Sequence, residues 1–194
     1  MTLPPKNKKM TYPANEILAL RRTLGGLEAR NTSLAVERTD GVSIDAILQV
    51  QLRRWYLDLL DHADPRLLAP ENIASEVSFT AGTDGATILL PERCRRAFSV
   101  RLRGWAHSVP ILPASEFAGV LRRQRNPYTA ATPVAPVAVM AQDIGTTPQP
   151  AVYAWPADSG IAHLSAVVDR GEHIYILDPS ALATMPQSNI LIDI

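Results

Sequence analysis

The stretch that most limits what this chain can become is residues 86–105, ATILLPERCRRAFSVRLRGW. Ala86-Thr87-Ile88-Leu89-Leu90 is a short apolar run, partly β-branched, and Pro91, which has no amide hydrogen for a ladder, stops it. Pro91-Glu92-Arg93-Cys94-Arg95 is polar and turn-like. Beyond it, Phe98, Val100 and Leu102 alternate with Ser99, Arg101 and Arg103. A period of two belongs to a strand with one buried face, and here the other face is wet and basic. Trp105 closes the segment and, like Trp55, is assigned to the core. Strand, turn, strand is the frame around which the rest must pack.

The flanking sequence supplies helices on one side and further strands on the other. Residues 1–12 read as a flexible tail with few apolar groups to bury. Ala14–Leu24 reads as a helix on Ile17, Leu20 and Leu24, ended by Gly25-Gly26 in C-cap fashion. Residues 27–42 are ambiguous, with a turn at Thr39-Asp40-Gly41. Ser43 is an N-cap for a second helix over residues 44–61. Its stripe is Ile44, Ile47, Leu48, Leu52, Trp55, Leu59 and Leu60. Ala63-Asp64-Pro65 breaks it, and residues 66–74 are expected to hold another helical turn.

Residues 76–80 alternate, Gly82-Thr83-Asp84-Gly85 is a hairpin turn, and residues 86–90 return. A strand over 107–112 follows residues 98–105, and residues 115–124 form a short helix ended by Asn126-Pro127. Residues 137–140, 151–155, 161–169 and 172–177 read as strands. Arg170-Gly171 is expected to make a hairpin of the last two, and Asp178-Pro179-Ser180 to start a final helical turn. Sixteen prolines, most of them beyond Pro110, also disfavour an all-helical chain. The fold class is therefore α+β: N-terminal helices followed by an antiparallel β-sandwich or curled sheet with one inserted short helix. The expected organisation is a tail over 1–12, a helical region over 13–74 and a β-rich domain over 75–194, with helices and sheet in one compact unit.

Charge is balanced overall and uneven along the chain. Residues 91–125 carry eight arginines against Glu92 and Glu116, a net of +6, and residues 126–194 carry Arg170 against six acids, a net of −5. Such a split is either an internal balance, a solvated strand face, or a head-to-tail arrangement in which a basic face meets an acidic one on the next subunit. No apolar run is long enough for a transmembrane helix, and no apolar segment follows Lys6, Lys8 and Lys9, so neither membrane insertion nor a signal peptide is expected. The single cysteine excludes an internal disulfide and a cysteine-based metal cluster.

The residues that carry chemistry do not assemble into a motif. His62, His107, His163 and His173 lack metal-ligand spacing, so no metal is expected. Cys94 sits among Arg93, Arg95 and Arg96, neighbours that lower a thiol pKa. A catalytic cysteine also needs a histidine base, and His107 is the nearest in sequence. The bland reading, a small apolar residue packed under the turn, is preferred. No phosphate-binding glycine loop, nucleophile elbow or paired glycosidase acids are present, so no catalytic set and no cofactor are called for. The arginine-rich stretch with Phe98 and Trp105 would suit a single-stranded nucleic acid only if those aromatics were exposed. They fall in phase with the apolar face, and the sequence pI near 6.9 lacks a basic footprint.

The order of segments resembles the head–tail connector (adaptor) proteins of tailed phages and prophages. The pattern is a pair of N-terminal helices with Trp55-Tyr56 near the end, then a strand ending Leu90-Pro91, then the strand from Ala97 to Trp105. Gln124-Arg125-Asn126-Pro127-Tyr128, Pro136-Val137-Ala138-Val139 and the aromatic-proline strand Val152-Tyr153-Ala154-Trp155-Pro156 follow, so the likeness spans residues 14–170. The end departs from the pattern, which has a longer C-terminal helix or arm; here the apolar segment Ile190-Leu191-Ile192-Asp193-Ile194 could be a strand given to a neighbour's sheet edge.

The resemblance implies a non-enzymatic virion protein assembled in the host cytoplasm. It would form a homo-oligomeric ring between the portal protein and tail or neck proteins, with non-specific contact to channel DNA and no membrane. Arg93, Arg95, Arg96, Arg101, Arg103, Arg122, Arg123 and Arg125 are then the candidate subunit or channel contacts, and the lysine-containing N-terminus and the loops at 126–136 and 143–150 the gripping segments. The alternative is a non-enzymatic β-sandwich module of a bacterial cell that presents its Pro-rich loops to a protein partner.

Overall fold

The structure, a computed structural model, describes residues 10–24, 44–143, 149–171 and 174–185. The expected features at Gly25-Gly26, residues 27–42, Ser43 and residues 190–194 lie outside them. The described elements, in chain order, begin with β1 (Met10–Pro13), α1 (Ala14–Leu24), α2 (Ile44–His62), β2 (Glu71–Asn72), β3 (Ser78–Gly82), β4 (Gly85–Leu89) and β5 (Cys94–Leu102). They continue with β6 (Val109–Leu112), α3 (Phe117–Gln124), β7 (Val137–Asp143), β8 (Gln149–Trp155), β9 (Ile161–Val168) and β10 (Ile174–Leu177). Short 3-10 turns cover Ala114–Glu116 and Pro179–Thr184. The fold is α+β. The chain divides into two compact units, Met1–Ala69 with Asp169–Ile194, and Pro70–Val168. The last strand therefore groups with the helices and not with the sheet.

In the first unit β1 pairs antiparallel with β10, Met10 opposite Leu177 and Pro13 opposite Ile174. This corrects two expectations. Residues 10–12 are strand and not tail, and Arg170-Gly171 makes no hairpin, because β10 takes β1 as partner while β9 pairs with β5 and β2. Gly171 instead turns the chain at a φ of 100°, a region side chains rarely adopt.

α1 buries Ile17, Leu18 and Arg21 and leaves Leu20 exposed, so its apolar stripe is rotated from the one expected. α2 buries Leu48, Leu52, Tyr56, Leu59 and Leu60, a stripe centred on Tyr56, whose ring meets Tyr175 edge-on at 4.5 Å. Trp55 is on the flank of that stripe and only half-buried, so it does not belong to the core as expected. Arg53 grips both carboxylate oxygens of Asp169 and donates to the Gly171 carbonyl at 3.3 Å. The Asp178 carboxylate accepts from the Ser180 amide and starts the Pro179–Thr184 turn as expected.

The second unit is one eight-stranded sheet in the order β2-β9-β5-β6-β7-β8-β4-β3. β9 and β4 are five strands apart, about 24 Å if the sheet were flat. Yet Leu164, Ala166 and Val168 of β9 share one cluster with Ile88 of β4, Val100 and Leu102 of β5, and Val152 and Ala154 of β8, so the sheet curls around its own core. Trp105 is buried there as expected, 2% exposed, with its indole N–H donating to the Pro156 carbonyl at 3.0 Å.

The sheet is mixed and not wholly antiparallel: β6 and β7 run parallel, Ile111 beside Ala138. A parallel pair needs a crossover, and the inserted short helix α3 provides it. α3 then lies on the outer face of β7 and β8, where Val120 is buried with Val139 and Trp155. Residues 66–74 hold no helix; Glu71 and Asn72 pair with Ala166 and Ser165 instead, and the Asn72 side chain accepts from the Leu164 amide at 2.9 Å. The expected hairpin at Gly82-Thr83-Asp84-Gly85 forms. Gly85 has a φ of 131°, and a Cβ there would run into the Trp155 indole, so glycine is required twice over.

β5 departs from simple alternation. Its pairing with β9 shifts register between Ala97 and Ser99, so Ala97, Val100 and Leu102 face the core while Phe98 does not. Phe98 was expected in phase with Val100; the bulge moves it out of that cluster, half-buried beneath the Arg96 guanidinium at 5.0 Å.

Candidate interaction surface

The eight arginines fall into two sets. Arg93, Arg95, Arg96, Arg101 and Arg103 belong to β5 and its flanking turns, and Arg122, Arg123 and Arg125 to the end of α3. β6 separates β5 from β7 in the sheet, whereas α3 covers β7 and β8. The sequence therefore placed on one stretch what the fold distributes over two outer surfaces.

The β5 set is held rigidly from behind. Val100 and Leu102 are fully buried while Arg101 between them is exposed, so the strand is pinned by the same alternation that turns the guanidinium out. Arg101 lies opposite His163 of β9, and Ser99 opposite Ser165, which makes a polar, donor-rich strip on the outer face. The Arg101 Nε donates to the Trp105 carbonyl at 3.3 Å. Arg93 pairs with Glu76 at 2.6 Å.

Arg103 stands next to the Asp158 carboxylate. The Ser159 amide, then the Gly104 amide and the Arg103 charge hold that carboxyl below the usual carboxylate range. The same carboxylate accepts from the Gly104 amide, which fixes the turn after β5. His163 is half-buried at this surface, beside Arg101.

Arg122 and Arg123 occupy the last turn of α3 and are exposed, a position where the helix dipole favours cations. Beyond them the chain forms a self-braced loop. The Asn126 side chain accepts from the Tyr128 amide at 3.0 Å, Gln124 accepts from the Ala131 amide at 2.8 Å, and Thr132 and Ala135 exchange backbone bonds. This loop holds Tyr128 and Val134 out in solvent at 96% and 73% exposure. Asn126-Pro127 marks the end of the helix in the sequence, but nothing there shows that its neighbours are left uncovered. The N-terminal lysines and residues 144–148 lie outside the described residues.

Cys94 packs against the sheet interior, and burial pushes its thiol up to about 11 despite the arginines around it in sequence. Cys94 begins β5 and His107 follows its other end, about 26 Å of extended strand apart, so the two do not form a nucleophile–base pair. Among the described residues no group of three histidine, cysteine, aspartate or glutamate side chains could hold a metal ion. A groove of about 530 Å³ on the helices is lined by Leu48, Leu52 and Trp55 together with the polar Arg21, Gln51, Arg54 and Asp58. A smaller one of about 350 Å³ lies between the β3–β4 turn, Trp155 and the end of α3. No helix among the described residues is long and apolar enough to cross a membrane.

Comparison with known proteins gives no match, whether to a family model, a curated protein or a solved structure.

Proposed function

We propose that this chain is a head–tail connector (adaptor or neck) subunit of a tailed-phage particle, one copy in a ring between portal and tail around the DNA channel. The observation that carries the reading is the β5 surface. Arg101 is exposed on a strand whose other face is locked into the core, Arg103 is exposed in the turn that follows, and α3 adds Arg122 and Arg123 on a second surface. Exposed basic surfaces held on a packed strand and helix suit contact with an acidic neighbour or with a phosphate backbone. The segment order described above agrees in kind. The ring, its portal and tail partners and the non-specific DNA contact belong to this proposal, as does its place in the virion.

Peptide mass spectrometry on density-purified particles from an induced culture of the source tests it. The expected result is this chain at a fixed multiple-copy ratio to the portal, with Arg101→Glu folded but under-incorporated at least tenfold. Particles that lack the chain overturn the reading. In that case the loop exposing Tyr128 and Val134 favours the second reading, a cellular module that binds a protein partner through that loop.

A further inference from the structure

We propose that the outer edge of β3 accepts residues 190–194 of a second copy of this chain as an added strand. This names a subunit contact for the ring reading and rests on it for the presence of that second copy.

The sheet order leaves β3 at one end with only β4 beside it. The two-residue turn Thr83-Asp84 makes Gly82 and Gly85 the first hydrogen-bonded pair of the hairpin. Bonded and non-bonded pairs then alternate, so Thr80 with Thr87 and Ser78 with Leu89 exchange bonds. Phe79 and Ala81 lie between them, and their amide and carbonyl groups point away from β4, outward along the free edge. Among the described residues nothing pairs with them.

Edges are usually blunted by shortness, charge, proline or a bulge. The opposite edge, β2, has the first two: it is two residues long and carries Glu71. β3 has none of the four. Ser-Phe-Thr-Ala-Gly is five residues, uncharged, without proline, and in regular register with β4 throughout. Phe79 is half-buried against the sheet interior while Ser78, Thr80 and Ala81 are exposed. An incoming strand would therefore meet an apolar side and a hydroxyl side.

Residues 190–194 match both demands. Ile-Leu-Ile-Asp-Ile is the same length as β3. Ile190, Ile192 and Ile194 make one wholly apolar face, suited to the Phe79 side, while Asp193 falls on the other face with Leu191, beside the β3 hydroxyls. Pro186-Gln187-Ser188-Asn189 gives a polar spacer of about 13 Å when extended, ahead of the pairing segment.

Sedimentation velocity on the full chain, with amide exchange read at Phe79 and Ala81, tests the contact in wild type, Ala81→Pro and Ile192→Lys. Proline at 81 removes a donor that points outward and leaves the β3–β4 bonds in place. Wild type is expected to associate with concentration and to protect both amides as it does so. Each substitution is expected to weaken association at least about tenfold. Circular dichroism checks that Ala81→Pro folds, and Ile192→Lys leaves the β3 sequence unaltered, so the test survives if it does not.

Loss on Ala81→Pro alone means that β3 pairs with β3 of a second copy and overturns the proposed occupant. Amide protection in a monomer means that the chain's own residues cover the edge, and also overturns it. Oligomers indifferent to both substitutions remove this contact but leave the ring reading standing. Absence of the chain from particles removes the ring reading, whatever the variants do.

Discussion

β5 and β8 sit in the same curled sheet and send the same kind of residue inward, yet their outer faces have opposite fates. β8 buries Val152 and Ala154 in the interior, and its outer residues Tyr153 and Trp155 lie under α3, with Phe117 meeting the Tyr153 ring at 5.2 Å. β5 buries Val100 and Leu102 but turns Arg101 to solvent. A strand covered on both sides cannot hold a charge without a large desolvation penalty, so β8 reads as a continuous apolar run. A strand covered on one side can, and β5 alternates. The exposed Arg101 thus marks an outer face of this sheet on which a charged side chain keeps its water.

The comparison is broken most severely by removing the cover of β8. Trp155 is 5% exposed, donates to the Asp84 carbonyl and joins Val120 and Val139 beneath α3. Trp155→Ala is expected to cost about 4 kcal/mol, the usual range for deleting a buried large aromatic. Urea unfolding followed by circular dichroism reads it as a fall in midpoint. A cost below about 1 kcal/mol would mean that α3 does not seal that face, and the distinction between the two strands would collapse.

How far the sequence revealed this layout depends on the same distinction. The hairpin at Gly82-Thr83-Asp84-Gly85, the helix Ala14–Leu24 and the strands on both sides of Pro91 were legible, because turn chemistry and local periodicity fix them. Phe98 was misplaced because a bulge changes phase without leaving a mark in composition. The partners of β10 were missed because Arg170-Gly171 looks like a hairpin turn, while strand choice depends on Met10–Pro13 more than 160 residues earlier. The Trp55 assignment failed because an amphipathic stripe has flanks, and only packing tells the centre from the margin. The basic character of β5 was plain. Its separation from the α3 arginines was not, since that needs the crossover between parallel β6 and β7.

A smaller effect sharpens the inward side of β5. Burial raises the Cys94 thiol to about 11 from an ordinary value of 9.0. A raised pKa in the folded state means that the protonated thiol is favoured there, so its contribution to stability is complete below pH 9 and is lost as pH rises through 11. Solvent screening of the partly exposed group leaves about 1 kcal/mol of that linkage. Tyr56, raised by burial to about 12, titrates in the same direction in the other unit, so the comparison must be with Cys94→Ala. Between pH 8 and pH 11 wild type is expected to lose about 1 kcal/mol more than the variant. Equal slopes would place the thiol in water and not against the sheet interior.

The smallest expected effect belongs to the outward side of the same strand. Arg101 lies between two fully buried residues, but its own side chain is in solvent and its hydrogen bond to the Trp105 carbonyl, at 3.3 Å, is long. Exposed groups of this kind contribute little to folding, and Arg101→Ala is expected to change the unfolding free energy by no more than about 0.5 kcal/mol. Measured beside Trp155→Ala in the same urea titration, it gives the ratio between a covered and an uncovered outer face directly. A loss of about 2 kcal/mol or more would mean that Arg101 braces the turn into Trp105. The arginines of β5 would then be structural residues, and the reading that assigns them to a partner would lose the observation that carries it.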